Sequence, residues 1–94
     1  MKIVLADEAN EDLKSTLRYI AERNPFAARG LRERVRRTLR QLARRDFDGP
    51  EVELISGDRC RSWPVAPLRI YYQRRSDALY VIRIYHHARQ PIAK

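Results

Sequence analysis

The hydrophobic positions of this chain change their spacing about halfway along it. In the first half they recur every three or four residues, which is the period of an amphipathic helix. The first helical stripe consists of Ala6, Ala9, Leu13, Leu17, Ile20 and Ala21, and the second of Ala28, Leu31, Val35, Leu39 and Leu42. In the second half they alternate or form short runs, which is typical of strands. The pattern therefore predicts two helices followed by a sheet.

The boundary between the two helices is marked by Asn24-Pro25. A residue before proline is pushed out of the α region, whereas proline itself is tolerated at the start of a helix. The first helix should therefore end near Asn24 and the second should begin at Pro25. With almost no linker, the two helices are expected to pack as an antiparallel hairpin. Asp7 is the expected cap of the first helix, after a short strand over residues 2–5.

Four strand candidates follow the turn-rich segment 46–50. They cover residues 52–55, 59–65, 68–74 and 79–85. The pattern predicts an α+β domain of the order β-α-α-β-β-β, with the helical hairpin on one face of a small antiparallel sheet. Because a chain of 94 residues has room for one core, residues 1–94 are expected to form a single domain.

Strand alternation predicts which side chains face away from the helices. If Ile82 and Ile84 meet the helices, the opposite face carries arginines and aromatic residues. The residues expected on that face are Arg59, Arg61, Trp63, Arg69, Tyr71, Arg83, Tyr85 and His87. Such a face can stack bases and bind phosphates, or it can cradle an acidic peptide. The plain alternative is an amphipathic sheet with solvated arginines.

The segment from His86 to Pro91 follows the last strand, where the backbone becomes exposed. It places His86, His87 and Arg89 within four residues of one another. Groups of this kind bind phosphate, transfer protons near neutral pH or dock an acidic partner. The alternative is a solvated polar tail.

The charge of the chain narrows the class of partner. The net charge is +8, and seventeen of the twenty basic residues are arginine. Residues 25–45 alone carry eight arginines and one glutamate. An anionic partner is therefore expected, either nucleic acid or an acidic protein. A charged helix face is often only solvated, and that is one interpretation of these arginines. The other, more specific interpretation is that they contact the anionic partner directly.

Several classes of protein are disfavoured by the composition. No apolar run approaches the ~20 residues of a membrane helix, and the N-terminus lacks a signal-peptide core, so a cytoplasmic location without a membrane partner is expected. The lone Cys60 excludes an internal disulfide and is expected to be a buried structural thiol. Neither a metal site nor a cofactor is expected.

Several motifs, taken in their order and spacing, resemble the RelE/ParE toxin superfamily over nearly the whole chain. The motifs are Asp12-Leu13, Tyr19-Ile20, Asn24-Pro25-Phe-Ala-Ala28, Arg59-x-Arg61-Ser-Trp-Pro64-Val, Arg69-Ile-Tyr-Tyr72 and Arg83-Ile-Tyr-His86-His87-Ala-Arg89-Gln-Pro91. The resemblance implies a bacterial type II toxin whose partner is an antitoxin with a flexible C-terminal segment. RelE-like members cleave messenger RNA on the ribosome, and ParE-like members inhibit DNA gyrase. The Arg-Ser-Trp-Pro-Val and His-x-Ala-Arg patterns look closer to ParE-like chains.

The resemblance, together with the charge and strand patterns described above, gives expected roles for particular residues. Those expected to bind the target or phosphate are Arg59, Arg61, Arg69, Arg83, His86, His87 and Arg89. Those expected to contact the antitoxin are Arg29, Arg32, Arg36 and Arg40. Under the alternative of a metal-independent endoribonuclease, Arg69, His87 and Arg89 would be the catalytic residues. The C-terminal tyrosine of RelE-like enzymes has no counterpart, and a basic nucleic-acid-binding module without toxicity is a third alternative.

Overall fold

The computed structural model describes the chain from Met1 to Lys94. Its elements are β1 Lys2–Leu5, α1 Asp7–Arg23, α2 Pro25–Ala43, β2 Glu51–Glu53, β3 Arg59–Val65, β4 Leu68–Arg75 and β5 Ala78–His86. The strands form one sheet in the order β1-β5-β4-β3-β2. The predicted α+β class is confirmed. Four strands follow the helices, which agrees with the four strand candidates, although the predicted order β-α-α-β-β-β counted only three of them.

The sheet is mixed, whereas the sequence pattern predicted an antiparallel one. β5 lies between β4 and β1, and it runs parallel to β1 and antiparallel to β4. The other neighbouring strands are antiparallel. The parallel pair arises because the whole hairpin and three strands separate β1 from β5 in the chain, so no tight turn joins them.

The junction between the helices agrees with the prediction. The side chain of Asn24 accepts a hydrogen bond from the Ala27 N–H over 3.0 Å, and Pro25 is the first residue of α2. Asp7, in contrast, is not the cap of α1. Ala6 occupies that position without a side-chain hydrogen bond, and Asp7 lies in the first turn, where its charge complements the helix dipole.

The main core lies between the helical hairpin and one face of the sheet. The predicted seam of α2 is confirmed, and Leu39 is 7% exposed. The thirteen buried residues of this core are Ala9, Leu31, Val35, Leu39, Leu42, Ala43, Val65, Leu68, Ile70, Tyr72, Leu79, Val81 and Ile84. Burial of this apolar surface holds the hairpin against the strands. Neither helix is long and apolar enough to cross a membrane.

A β-bulge in β5 changes which side chains share a face. The pairing with β4 skips Ile82, which lies between the paired residues Val81 and Arg83. Ile84 belongs to the main core, whereas Ile82 packs against a second cluster on the opposite face. The prediction that Ile82 and Ile84 both meet the helices is therefore wrong.

The last residues cross that opposite face as a C-terminal strap, residues 91–94. The Ile55 N–H donates to the Ile92 carbonyl over 2.6 Å, and the Lys94 N–H donates to the Glu53 carbonyl over 2.8 Å. The strap covers the second cluster, which consists of Leu54, Cys60 and Tyr71 with the partly buried Val52, Ile82, Tyr85, Ile92 and Ala93. Cys60 is buried as predicted, and burial, followed by the charge of Asp58, raises the pKa of its thiol.

Candidate functional site

A small pocket lies where β5 ends and the strap begins. It has a volume of about 130 Å³ and is lined by Arg69, Tyr71, Tyr85, His87, Arg89, Pro91, Ile92 and Ala93. Three of the residues singled out in the sequence, Arg69, His87 and Arg89, therefore meet in one place. We call this site the C-terminal pocket.

The Pro67 carbonyl holds His87 at the edge of the pocket. This oxygen accepts a hydrogen bond from the His87 N–H over 3.0 Å and lies 2.6 Å from the ring Nδ1. Because a carbonyl can only accept, Nδ1 carries a proton, and Nε2 is the nitrogen left to bind a ligand or accept a proton. The ring of His86 stacks on His87 at 5.3 Å, and its Nδ1 accepts from the Ala88 N–H.

Arg69 and Tyr71 form the floor of the pocket on β4. A guanidinium N–H of Arg69 donates to the Ser62 hydroxyl over 2.9 Å. Burial raises the pKa of Tyr71, and the positive charge of Arg69 opposes this only in part, so the hydroxyl stays protonated near neutral pH.

Tyr85 lies at the mouth of the pocket and contacts two arginines, of which only Arg89 lines the pocket. Its hydroxyl donates to the Gln90 carbonyl over 2.6 Å. The guanidinium groups of Arg83 and Arg89 lie 5.0 and 5.3 Å from the centre of its ring, close enough for cation–π attraction. Arg89 is exposed and makes no ion pair, so its charge, like that of Arg69 on the floor, is available to a ligand.

Arg83 is committed to a structural contact instead. Its guanidinium makes two hydrogen bonds to the Asp12 carboxylate, at 2.7 and 2.9 Å, and lies 3.4 Å from Glu8. Asp12 is 8% exposed and also accepts from the Ile84 N–H. The hydrogen bonds to Asp12 raise the pKa of Arg83. Arg83 therefore ties β5 to α1. The alternation pattern predicted a free arginine on the uncovered sheet face, and that prediction is wrong for Arg83.

Arg59 and Arg61 also lie on a different face from the one predicted. In the register of β3 with β4, Arg61 pairs with the core residue Tyr72. Trp63, two residues further along, stacks on Phe47 at 4.2 Å and packs against the main core. The shared parity of these three positions is confirmed, but they lie on the helix side of the sheet, away from the C-terminal pocket.

A second, larger cavity surrounds these arginines. It has a volume of about 540 Å³ and is lined by Arg45, Asp48, Glu51, Arg59, Cys60, Arg61, Tyr72, Gln73 and Arg74. We call it the arginine cleft. The sequence pattern does not predict that Arg45 and Arg74 join Arg59 and Arg61, because the four arginines come from three separate segments.

The arginines expected to contact an antitoxin border two grooves on the helical hairpin. One groove, of about 490 Å³, is lined by Leu17, Arg18, Ala21, Pro25, Ala28, Arg29 and Arg32. The other, of about 460 Å³, is lined by Ile3, Leu5, Asn10, Leu13, Lys14, Leu17, Arg32, Val35, Arg36, Leu39 and Arg40. Since Leu17 and Arg32 line both, we treat them together as the hairpin grooves. Their apolar floors and basic rims suit an amphipathic acidic segment.

A helical hairpin packed on a small mixed sheet is an α+β fold consistent with the RelE/ParE class. The sequence model of one family, described as ParE toxin of type II toxin-antitoxin system, parDE, matches residues 3–91. The chain belongs to this family, and the ParE-like resemblance is confirmed. A toxin role and an antitoxin protein as partner follow from that membership. No curated protein matches the chain.

Proposed function

We propose that this toxin acts by binding DNA gyrase and that its antitoxin neutralises it by occupying the hairpin grooves. The observation that carries the proposal is the match to the ParE family over residues 3–91. The chemistry of the C-terminal pocket supports a binding role over a catalytic one.

Cleavage of RNA by attack of a 2′-hydroxyl needs a base for that hydroxyl and an acid for the leaving oxygen. The C-terminal pocket contains one histidine, and its other ionisable side chains are arginines and tyrosines. Arginine does not release its proton, and the Tyr71 hydroxyl is disfavoured as a base because burial raises its pKa. The Tyr85 hydroxyl is already bonded to Gln90. The reaction needs two proton transfers, and the pocket has only one side chain suited to proton transfer. This favours a binding role for the pocket over a catalytic one.

Ribonuclease activity is the second candidate, because Arg69, His87 and Arg89 converge in one pocket. In that case His87 Nε2 would act as the acid or base, and the two guanidinium groups would stabilise the charge on the phosphate. The pocket would need no metal ion for this reaction.

One pair of assays on the purified toxin separates the two functions. We expect the wild-type protein to inhibit supercoiling by gyrase and to leave ribosome-bound messenger RNA intact. His87→Ala should change gyrase inhibition only through affinity. His86→Ala is the comparison at a neighbouring histidine that stacks on His87 but does not line the pocket. Messenger RNA cleavage by the wild type that falls by about 10²–10⁴ in His87→Ala, but not in His86→Ala, would establish the ribonuclease instead.

A further inference from the structure

We propose that the arginine cleft binds the phosphodiester backbone of a nucleic acid, at a site separate from the C-terminal pocket and the hairpin grooves. Neither the toxin role nor the antitoxin partner requires such a site. The inference does not depend on whether the toxin inhibits gyrase or cleaves messenger RNA.

The back wall of the cleft is a fixed hydrogen-bond network. Asp48 accepts from the Tyr72 hydroxyl over 2.8 Å and from Arg74. Arg74, whose side chain is 10% exposed, also donates to the Leu42 carbonyl. Burial alone would raise the pKa of Asp48, but the hydrogen bonds from Arg74 and Tyr72 outweigh it and lower the pKa. The charges of Asp48 and Arg74 are thus paired within the wall, while the buried Nε of Arg74 has no hydrogen-bond partner.

The remaining cations of the cleft are available to a ligand. Arg45 and Arg59 make no side-chain hydrogen bond or ion pair within the chain. Arg61 donates to the Gly49 carbonyl over 2.8 Å and is 3.5 Å from Glu51, which fixes its position while other N–H groups remain unpaired. Arg59 and Arg61 are alternate residues of β3, so they stand on one side of the strand about 6.6 Å apart. Guanidinium groups in a row suit the successive phosphates of a strand.

The backbone at Arg45 is held in an unfavourable conformation. Its φ is +62°, in the left-handed region where glycine is preferred after a helix. A residue other than glycine there carries a conformational cost, and such costs are found where a side chain serves a function. The arginine side chain at residue 45, which is present despite this conformational cost, lines the cleft.

The lining favours a nucleic acid over a peptide. Apart from Cys60 and Tyr72, the cleft is formed by charged or amide side chains. A protein segment needs apolar anchors to bind well, and the hairpin grooves supply them. A phosphodiester backbone needs only well-placed donors and positive charge, which is what the cleft provides.

The test measures binding of the full-length toxin to fluorescent oligonucleotides over a series of salt concentrations. Single-stranded DNA, single-stranded RNA and duplex DNA of one sequence show which source of phosphodiester is preferred. The variant is Arg45→Gly with Arg59→Gln, and glycine at residue 45 suits the left-handed backbone, so the fold should persist. The control is Arg23→Gln with Arg37→Gln, which removes the same charge outside all the surfaces described above.

We expect the cleft variant to bind at least about tenfold more weakly than the wild type. The slope of log affinity against log salt concentration should become shallower by about 1.4–1.8, which corresponds to the loss of two phosphate contacts. The control should bind within about twofold of the wild type. Equal losses in both double variants, or no binding of any oligonucleotide at low salt, would overturn the proposal. So would tighter binding of polyglutamate than of the oligonucleotides. If the double variant proves unfolded by circular dichroism, Arg45→Gly alone must still weaken binding.

Discussion

Gly49 lets the segment between α2 and β2 lie directly against β3. A Cβ atom at this position would be 1.7 Å from the Ser62 carbonyl oxygen, so no other residue fits without moving backbone. The neighbouring Pro50 carbonyl accepts from the Ser62 N–H, and the Gly49 N–H donates to the Tyr72 hydroxyl. This contact sets the position of the back wall of the arginine cleft.

We expect Gly49→Ala to lower the free energy of unfolding by about 1–3 kcal/mol, as overpacking does elsewhere. The control is Gly30→Ala, because Gly30 lies in α2 with no atom near its added Cβ. Alanine should stabilise that helix by up to about 1 kcal/mol. Urea unfolding of both variants measures the contrast. Similar changes in the two variants would mean that the close approach at Gly49 is not a constraint.

Asp48 should make stability depend on pH in the acid range. Its pKa is lowered in the folded protein, chiefly because the hydrogen bonds from Arg74 and Tyr72 outweigh burial. The stabilisation is therefore complete above the unfolded pKa of about 3.9 and is lost as the pH falls through the lower, folded pKa. We expect Asp48→Asn to flatten the fall in unfolding free energy below about pH 4. Asp77→Asn, at a carboxylate without a side-chain partner, should leave that fall unchanged, and identical curves for both variants would contradict the prediction.

At the scale of elements, the helices could be predicted more fully than the strands. The seam of α2 follows from its period, because a helix keeps one face toward the core along its length. A strand changes face with every residue, so the single bulge at Ile82 moved that side chain to the other side. In β3 both parities mix polar and apolar residues, and the contact of Trp63 with Phe47 together with the burial of Val65 in the main core fixes which parity faces the helices. That contact joins distant segments and leaves no mark in the local pattern.

Leu39 tests the assignment of the α2 seam. The side chain is 7% exposed and lies in the main core, so Leu39→Ala should cost about 2–5 kcal/mol of unfolding free energy. The control is Ile55→Ala, because Ile55 is 63% exposed and its truncation should change stability by less than about 0.5 kcal/mol. Thermal or urea unfolding distinguishes the two. A cost at Leu39 no larger than at Ile55 would show that the hairpin packs through another face.

At the scale of the whole molecule, the fold sorts the arginines into separate surfaces. The composition predicts an anionic partner, but it does not show that Arg69 and Arg89 share one pocket while Arg59 and Arg61 line another. That division depends on the strand order and on which side of the sheet each residue takes. Nothing in the sequence pattern marks Asp12 as buried, and its burial against Arg83 depends on β5 lying beside β1.

The hairpin grooves predict how the antitoxin is held. Arg36→Glu with Arg40→Glu reverses two charges on the rim of one groove and should weaken capture of the antitoxin. The dependence of affinity on salt should also decrease, because fewer favourable charge contacts remain to be screened. Titration calorimetry at two salt concentrations measures both effects. The control, Arg23→Glu with Arg37→Glu, has the same charge change away from the grooves, and an equal loss in that variant would mean that only the overall charge matters.

The C-terminal strap has a consequence for how the toxin can associate with other chains. An exposed edge strand offers unpaired N–H and carbonyl groups to any extended segment, including one from another copy. By pairing with residues 53–55, the strap already occupies these groups at the end of β2. The strap thereby blocks the addition of a strand at residues 53–55, and β1, which ends the sheet on the other side, has no strand on its outer side.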